Sequence, residues 1–145
     1  MGVEVHISGL QELQQKLDAL PTKLAKRVLR PSLEDAGAII QQAIGVRAPR
    51  QTGFLTTHIG VDVVVHNDLS ASVKVGPEKG QASMEALFAE LGTAPHTETS
   101  KNGKSFTHPG QPATPFIRPA FAESSDAALT ALVTNIKDGL SEVAK

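Results

Sequence analysis

The alternation of apolar and polar positions divides the chain into recognisable segments. "VEVHI" sets Val3, Val5 and Ile7 against Glu4 and His6, the period of a short strand, ended by Ser8-Gly9. Leu10, Leu13, Leu17 and Leu20 then recur at helical spacing, with Gln11, Glu12, Gln15 and Lys16 on the polar side, and Pro21 ends the run. A second helical stretch spans Thr22 to Val46, its inner face drawn from Leu24, Val28, Leu33, Ala36, Ile40, Ala43 and Ile44. Pro31 interrupts it, which predicts a kink or a restart at Ser32, with Asp35 closing a capping box.

After the break "APRQTGFL" the period changes to two. Ile59, Val61, Val63 and Val65 share one face, as do Ala71, Val73 and Val75, and Asn67-Asp68 supplies a turn, so an antiparallel hairpin with one buried face is expected. "QASMEALFAELGT" returns to helical spacing with Met84, Leu87, Phe88 and Leu91, and Gly92 is placed to end the helix. Residues 93–114 carry almost no aliphatic side chain; Asn102-Gly103 inside them predicts a polar β-hairpin with both turn residues at positive φ, a mobile arm outside the core. Leu129, Leu132, Val133, Ile136, Leu140 and Val143 mark a closing amphipathic helix begun near Pro119. The expected fold is α+β: an antiparallel sheet of three to four strands packed by amphipathic helices, with a long polar hairpin arm before the C-terminal helix, all in one domain, 1–145.

Composition narrows the chemistry. The chain has 145 residues, a formal charge of -1, no cysteine, no tryptophan, no tyrosine and five phenylalanines. Zero cysteine excludes disulfides, thiol catalysis and zinc-thiolate sites and suits a reducing cytoplasm. No signal-peptide pattern or apolar run near 18 residues is present, so no membrane partner is expected.

Candidate reactive groups are few. His96, Glu98 and His108 meet across the polar hairpin if Thr97 sits opposite His108, but a metal needs ligands held by a supporting shell, and no metal or cofactor is expected there. There is no G-x-S-x-G elbow and no phosphate-cradling glycine loop, and the carboxylate neighbours Glu34-Asp35 and Glu85 with Glu90 read as solvated helix faces and caps. An enzyme with a small-molecule substrate is therefore not expected; a hydrolase using His96 or His108 is the weakest alternative. Lys23, Lys26, Arg27 and Arg30, with Arg47 and Arg50, form a basic helix face able to contact phosphates, which makes a nucleic-acid-binding module the leading alternative.

Three stretches then stand out in order: "APRQTGFL" at Ala48 to Leu55, "AELGT" at Ala89 to Thr93, and "HPGQPATPFIRPAF" at His108 to Phe121, the last holding four of the nine prolines. Together with the elements between them, they resemble the tail-completion, or neck, family of long-tailed bacteriophages typified by the tenth gene product of the Hong Kong 97 coliphage. Phe88 stands where that family commonly has tyrosine, and Leu91 where it commonly has a ring.

The resemblance implies a structural virion protein, assembled in the host cytoplasm, whose copies form a ring at the head-proximal end of the tail. Its implied partners are other copies of itself, the tail tube protein and the head-side connector or stopper, with packaged DNA beside the basic face. Prolines fix the backbone before association and so reduce its ordering cost. The residues expected at subunit or partner contacts are Phe88, Glu90, Gly92, Thr93, Asn102, Gly103, Pro115, Phe116, Arg118, Pro119 and Phe121. Phe116 and Phe121 are expected as buried anchors, and Arg118 as a forked donor for a carboxylate such as Glu90.

Overall fold

The computed structural model describes residues 11, 13–15, 22–67 and 70–143, with the side chains of 22–25 and 67 left aside. The strand expected at Val3 to Ile7 lies outside the described residues. Residues 11 and 13–15 have helical backbone, as the leucine spacing predicts.

Helix α1 runs from Thr22 to Arg47 and contains Pro31. The expected restart does not occur. Ser32 is buried and its hydroxyl donates to the Val28 carbonyl at 2.7 Å, while the Asp35 carboxylate accepts from Asn135 Nδ2 at 2.9 Å instead of closing a capping box. Proline removes one donor from the ladder, a local loss that tertiary packing over the remaining turns outweighs.

A four-residue helix, α2 (Phe54–Thr57), occupies the segment expected as a plain break. Strands β1 (Ile59–Asn67) and β2 (Ser70–Pro77) form the expected antiparallel hairpin, pairing Val61 with Val75, Val63 with Val73 and Val65 with Ala71. Asn67, expected in the turn, belongs to β1 and pairs with Ser70 after a register shift, and Asp68 lies outside the described residues.

Helix α3 (Gln81–Leu91) follows, then β3 (His96–Thr99), β4 (Ser105–His108) and the long α4 (Ile117–Val143). α4 opens two residues before Pro119, which sits inside its first turn. Every residue of β3 and β4 is exposed, and these strands pair only with each other. Among the described residues the expected single sheet of three to four strands is therefore two sheets of two strands each. A polar ladder offers no apolar face with which to join β1–β2 against the helices.

The β3–β4 register is also one step from the expected one: His96 faces His108 and Thr97 faces Thr107. Of the two expected turn residues only Gly103 has positive φ, at 76°, and among the described residues no non-glycine does. The turn is a three-residue loop, with Gly103 N–H donating to the Ser100 carbonyl and Ser100 N–H to the Lys104 carbonyl, both at 2.9 Å. This geometry needs one left-handed residue where a two-residue Asn-Gly turn needs two.

α1 lies against both α4 and the β1–β2 hairpin. Leu13, Val28, Ile136 and Leu140 form one buried cluster between the long helices. The other gathers Ile44, Leu55, Ile59, Ala82, Ala86, Phe116 and Ala120 where α1, α2, α3 and the start of α4 converge.

Candidate assembly interface

The three sequence stretches singled out above meet in that second cluster. Ala48 and Leu55 come from the first, Ala89 from the second, Phe116 and Ala120 from the third, and all five are buried. Around this point a proline-rich segment is tied to α3 by backbone and carboxylate bonds.

Glu90 is the principal tie. Its side chain is 9% exposed. Oε2 accepts the backbone N–H of Phe116 at 2.7 Å and of Ile117 at 2.9 Å, and Oε1 accepts that of Arg118 at 3.1 Å. These are donors at the open end of α4, which has no preceding turn to satisfy them. The next residue, Pro119, has no N–H, and Ala120 N–H already donates to the Phe116 carbonyl at 3.2 Å. The first turn of α4 is thus fully satisfied by one carboxylate and one proline.

The electrostatics follow from this placement. Burial pushes the Glu90 carboxyl upward, but the three backbone donors and the Arg118 charge outweigh it and hold its pKa below the ordinary value of 4.5. A carboxylate at a helix N-terminus also complements the helix dipole. The Arg118 guanidinium contributes only at the margin: its Nε lies 4.0 Å from Glu90 Oε1 and its side chain is 79% exposed. The carboxylate expected to receive Arg118's fork receives its backbone N–H instead.

Two glycines let the segments cross closely. Thr93 and Gln111 exchange backbone bonds at 2.8 and 3.0 Å, and Thr114 N–H donates to the Ala89 carbonyl at 2.7 Å. Gly92 has φ 72°, and a Cβ there would stand 2.6 Å from the Gln111 carbonyl oxygen. Gly110 has φ 82°, and a Cβ there would strike the Thr93 carbonyl oxygen. Both positions require glycine on conformation and on space.

The remaining expected residues separate. Phe116, 1% exposed, is spent on the chain's own core, whereas Phe88 and Phe121 are 42% and 48% exposed. Pro115 is exposed, Thr93 and Pro119 are half-buried, and Asn102 and Gly103 lie exposed at the β3–β4 turn. Of the basic face, Lys26 and Arg27 are exposed and Arg30 Nε pairs with Glu34 Oε1 at 3.1 Å; Lys23 lies on α1 with its side chain outside the description. Arg47 pairs with Glu123 and ties the end of α1 to α4.

His96 and His108 stack at 5.1 Å between ring centroids, and His96 Nε2 lies 2.9 Å from Glu98 Oε1. The Ala94 carbonyl and the Glu98 carboxylate raise the pKa of His96. Among the described residues no group of three or more His, Cys, Asp or Glu side chains is arranged to hold a metal ion, and no helix is long and apolar enough to cross a membrane.

The apolar spacing of α3 is legible in the sequence, but not that its large side chains face outward. Ala82, Ala86 and Ala89 form the buried side of α3, while Met84, Leu87, Phe88 and Leu91 project from its opposite side at exposures of 42–55%. The helix carries two apolar stripes, a small one turned inward and a large one turned outward. The alanines at spacings of four and three were the legible signal.

A family model described as "Bacteriophage HK97-gp10, putative tail-component" matches residues 11–92, more than half of the 145-residue chain. The match takes in Ala48 to Leu55 and ends at Gly92, so the proline-rich stretch lies beyond it, joined to it in space through Glu90. No curated protein and no solved structure shows a significant match. On the family match, the chain belongs to the HK97-gp10-like family, a family of phage tail components and not of enzymes.

Proposed function

We propose that this tail component forms a homo-oligomeric ring at the head-proximal end of the tail, completing the tail and joining it to the head's connector or stopper. The observation that carries the reading is the distribution of large apolar side chains. Three of the five phenylalanines, Phe88, Phe106 and Phe121, are exposed, together with Val46, Met84, Leu87 and Leu91. Large exposed apolar surface on a protein of near-zero net charge marks contact with other proteins.

In this reading the chain acts as one domain, 1–145. Glu90, Gly92, Thr93, Pro115, Phe116 and Pro119 hold the segment that leads into α4, and Phe88, Arg118 and Phe121 meet a neighbour. The polar arm of residues 93–114, tipped by Asn102 and Gly103, reaches the tail tube or the connector and orders fully on assembly. The face bearing Lys23, Lys26, Arg27 and Arg30 faces packaged DNA. The protein is assembled in the host cytoplasm and resides in the virion neck.

The test is immunogold labelling of intact virions, paired with a phage lacking the gene. The expected result is label confined to the neck, and full heads and tails that accumulate unjoined in the mutant. Label along the shaft or at the distal tip, or joined virions without the protein, would overturn the reading.

A further inference from the structure

The outward stripe of α3 has a counterpart on the same chain. Between β2 and the start of α4 runs an open apolar groove, lined by Ile40 of α1, Val73 and Val75 of β2, and Phe121 and Leu129 of α4. Phe121 is 48% exposed at its wall. The stripe, Met84, Leu87, Phe88 and Leu91, follows the i, i+3, i+4, i+7 spacing of a ridge along one side of a helix. The ridge cannot enter its own chain's groove, because the Ala82, Ala86 and Ala89 face fixes α3 on the core with the large side chains turned away.

Charge is complementary as well as apolar character. α3 contains no basic residue; its carboxylates are Glu85 and the buried Glu90, and Lys79 precedes it. The groove carries the exposed Arg118 at one end and Asp126 at the other. Eight residues separate them along α4, about 12 Å, a span over which Glu85 can meet Arg118 while Lys79 meets Asp126.

We infer that the α3 ridge of one copy seats in the β2–α4 groove of the next copy. The contact is heterologous: each copy offers a ridge to one neighbour and a groove to the other, the arrangement that generates a ring when its rotation closes. This rests on the ring reading above and adds which surfaces meet. It also gives Phe88 and Phe121 separate duties, Phe88 on the ridge and Phe121 in the groove wall.

The chain has no cysteine, so introduced thiols report contact without background. Full-length Leu87→Cys and Phe121→Cys proteins, both altered at exposed positions, are treated with a short bis-maleimide, separately and mixed, alone and with the phage's tail tube protein. Mass by light scattering is read on the same samples. The expected result is cross-linked dimer in the mixture and not in either single variant, and a covalent ladder from the Leu87→Cys/Phe121→Cys double variant. Leu87→Glu should raise the concentration at which assembly is half complete by roughly tenfold or more, the effect of losing one well-buried interface anchor.

Cross-linking of Leu87→Cys with itself would mean ridge meets ridge and would overturn the inference. Assembly without any cross-link would mean that the chain's first ten residues or the tube protein fills the groove, and would overturn it while leaving the ring reading in place. No assembly in any sample, tube protein included, would sink both.

Discussion

The Glu90 carboxylate accepts the backbone N–H of Phe116 at 2.7 Å, from 26 residues away in the chain. That bond and its neighbours to Ile117 and Arg118 fix where α4 begins and hold the proline-rich segment against α3. Removing the acceptor leaves three donors with reduced access to water. Glu90→Ala should therefore lower stability by roughly 2–4 kcal/mol, and Glu90→Gln, which keeps one acceptor oxygen without the charge, by about 1–2 kcal/mol. Urea denaturation of the two variants against the parent checks both size and order; equal stability of all three would contradict the capping role.

The same carboxylate gives a pH dependence of definite sign. Its folded pKa is depressed below 4.5, so its contribution is fully present above the unfolded value and is lost as pH falls through the folded one. Stability of the parent should fall on acidification in that range, and the fall should be shallower in Glu90→Gln. Denaturation midpoints measured from neutral pH downward test this; parallel curves would place the titration elsewhere.

Gly92 and Gly110 should resist substitution for a reason independent of Glu90. Each combines positive φ with a carbonyl oxygen where a Cβ would go. Gly92→Ala or Gly110→Ala should cost about 1–3 kcal/mol from backbone strain, with further loss from the clash. Gly103→Ala at the exposed turn has the strain alone, since nothing lies within 4 Å of its Cβ position, and should cost less. Thermal unfolding of the three single variants gives the ranking.

The exposed β3–β4 ladder contributes no residue to either buried cluster. Deleting Thr97 to Thr107 should leave a folded protein with near-parental unfolding temperature that fails to complement head-tail joining. A deletion that unfolds the chain, or one that joins normally, would contradict the proposed role of the arm.

The long helices and the existence of the β1–β2 hairpin were legible from period, and the valines set two apart on each strand face one another in the structure. The register was not, because it depends on the turn as well, and Asn67 pairs with Ser70 instead of turning. Period does not say which apolar side of a helix turns inward. In α3 the three alanines allow close approach to Ile44 and Phe116, so the core accepts the small stripe and the large one is left outside. Glu90's role was hidden for a different reason. A carboxylate that caps a helix 26 residues downstream leaves no local spacing signal, unlike a Ser-x-x-Glu box. The structure supplies a physical reason why the three stretches behind the family resemblance belong together: the first lines the core beneath α3, and the second binds the third.

The most direct measurement is mass in solution by light scattering after size exclusion, across a concentration series, with and without purified tail tube protein. The ring reading predicts a closed oligomer of one defined mass, formed alone or only when the tube is added. A monomer at every concentration that also ignores the tube would contradict it and turn attention to the basic face of α1, where a steep salt dependence of duplex DNA affinity would be the next thing to measure.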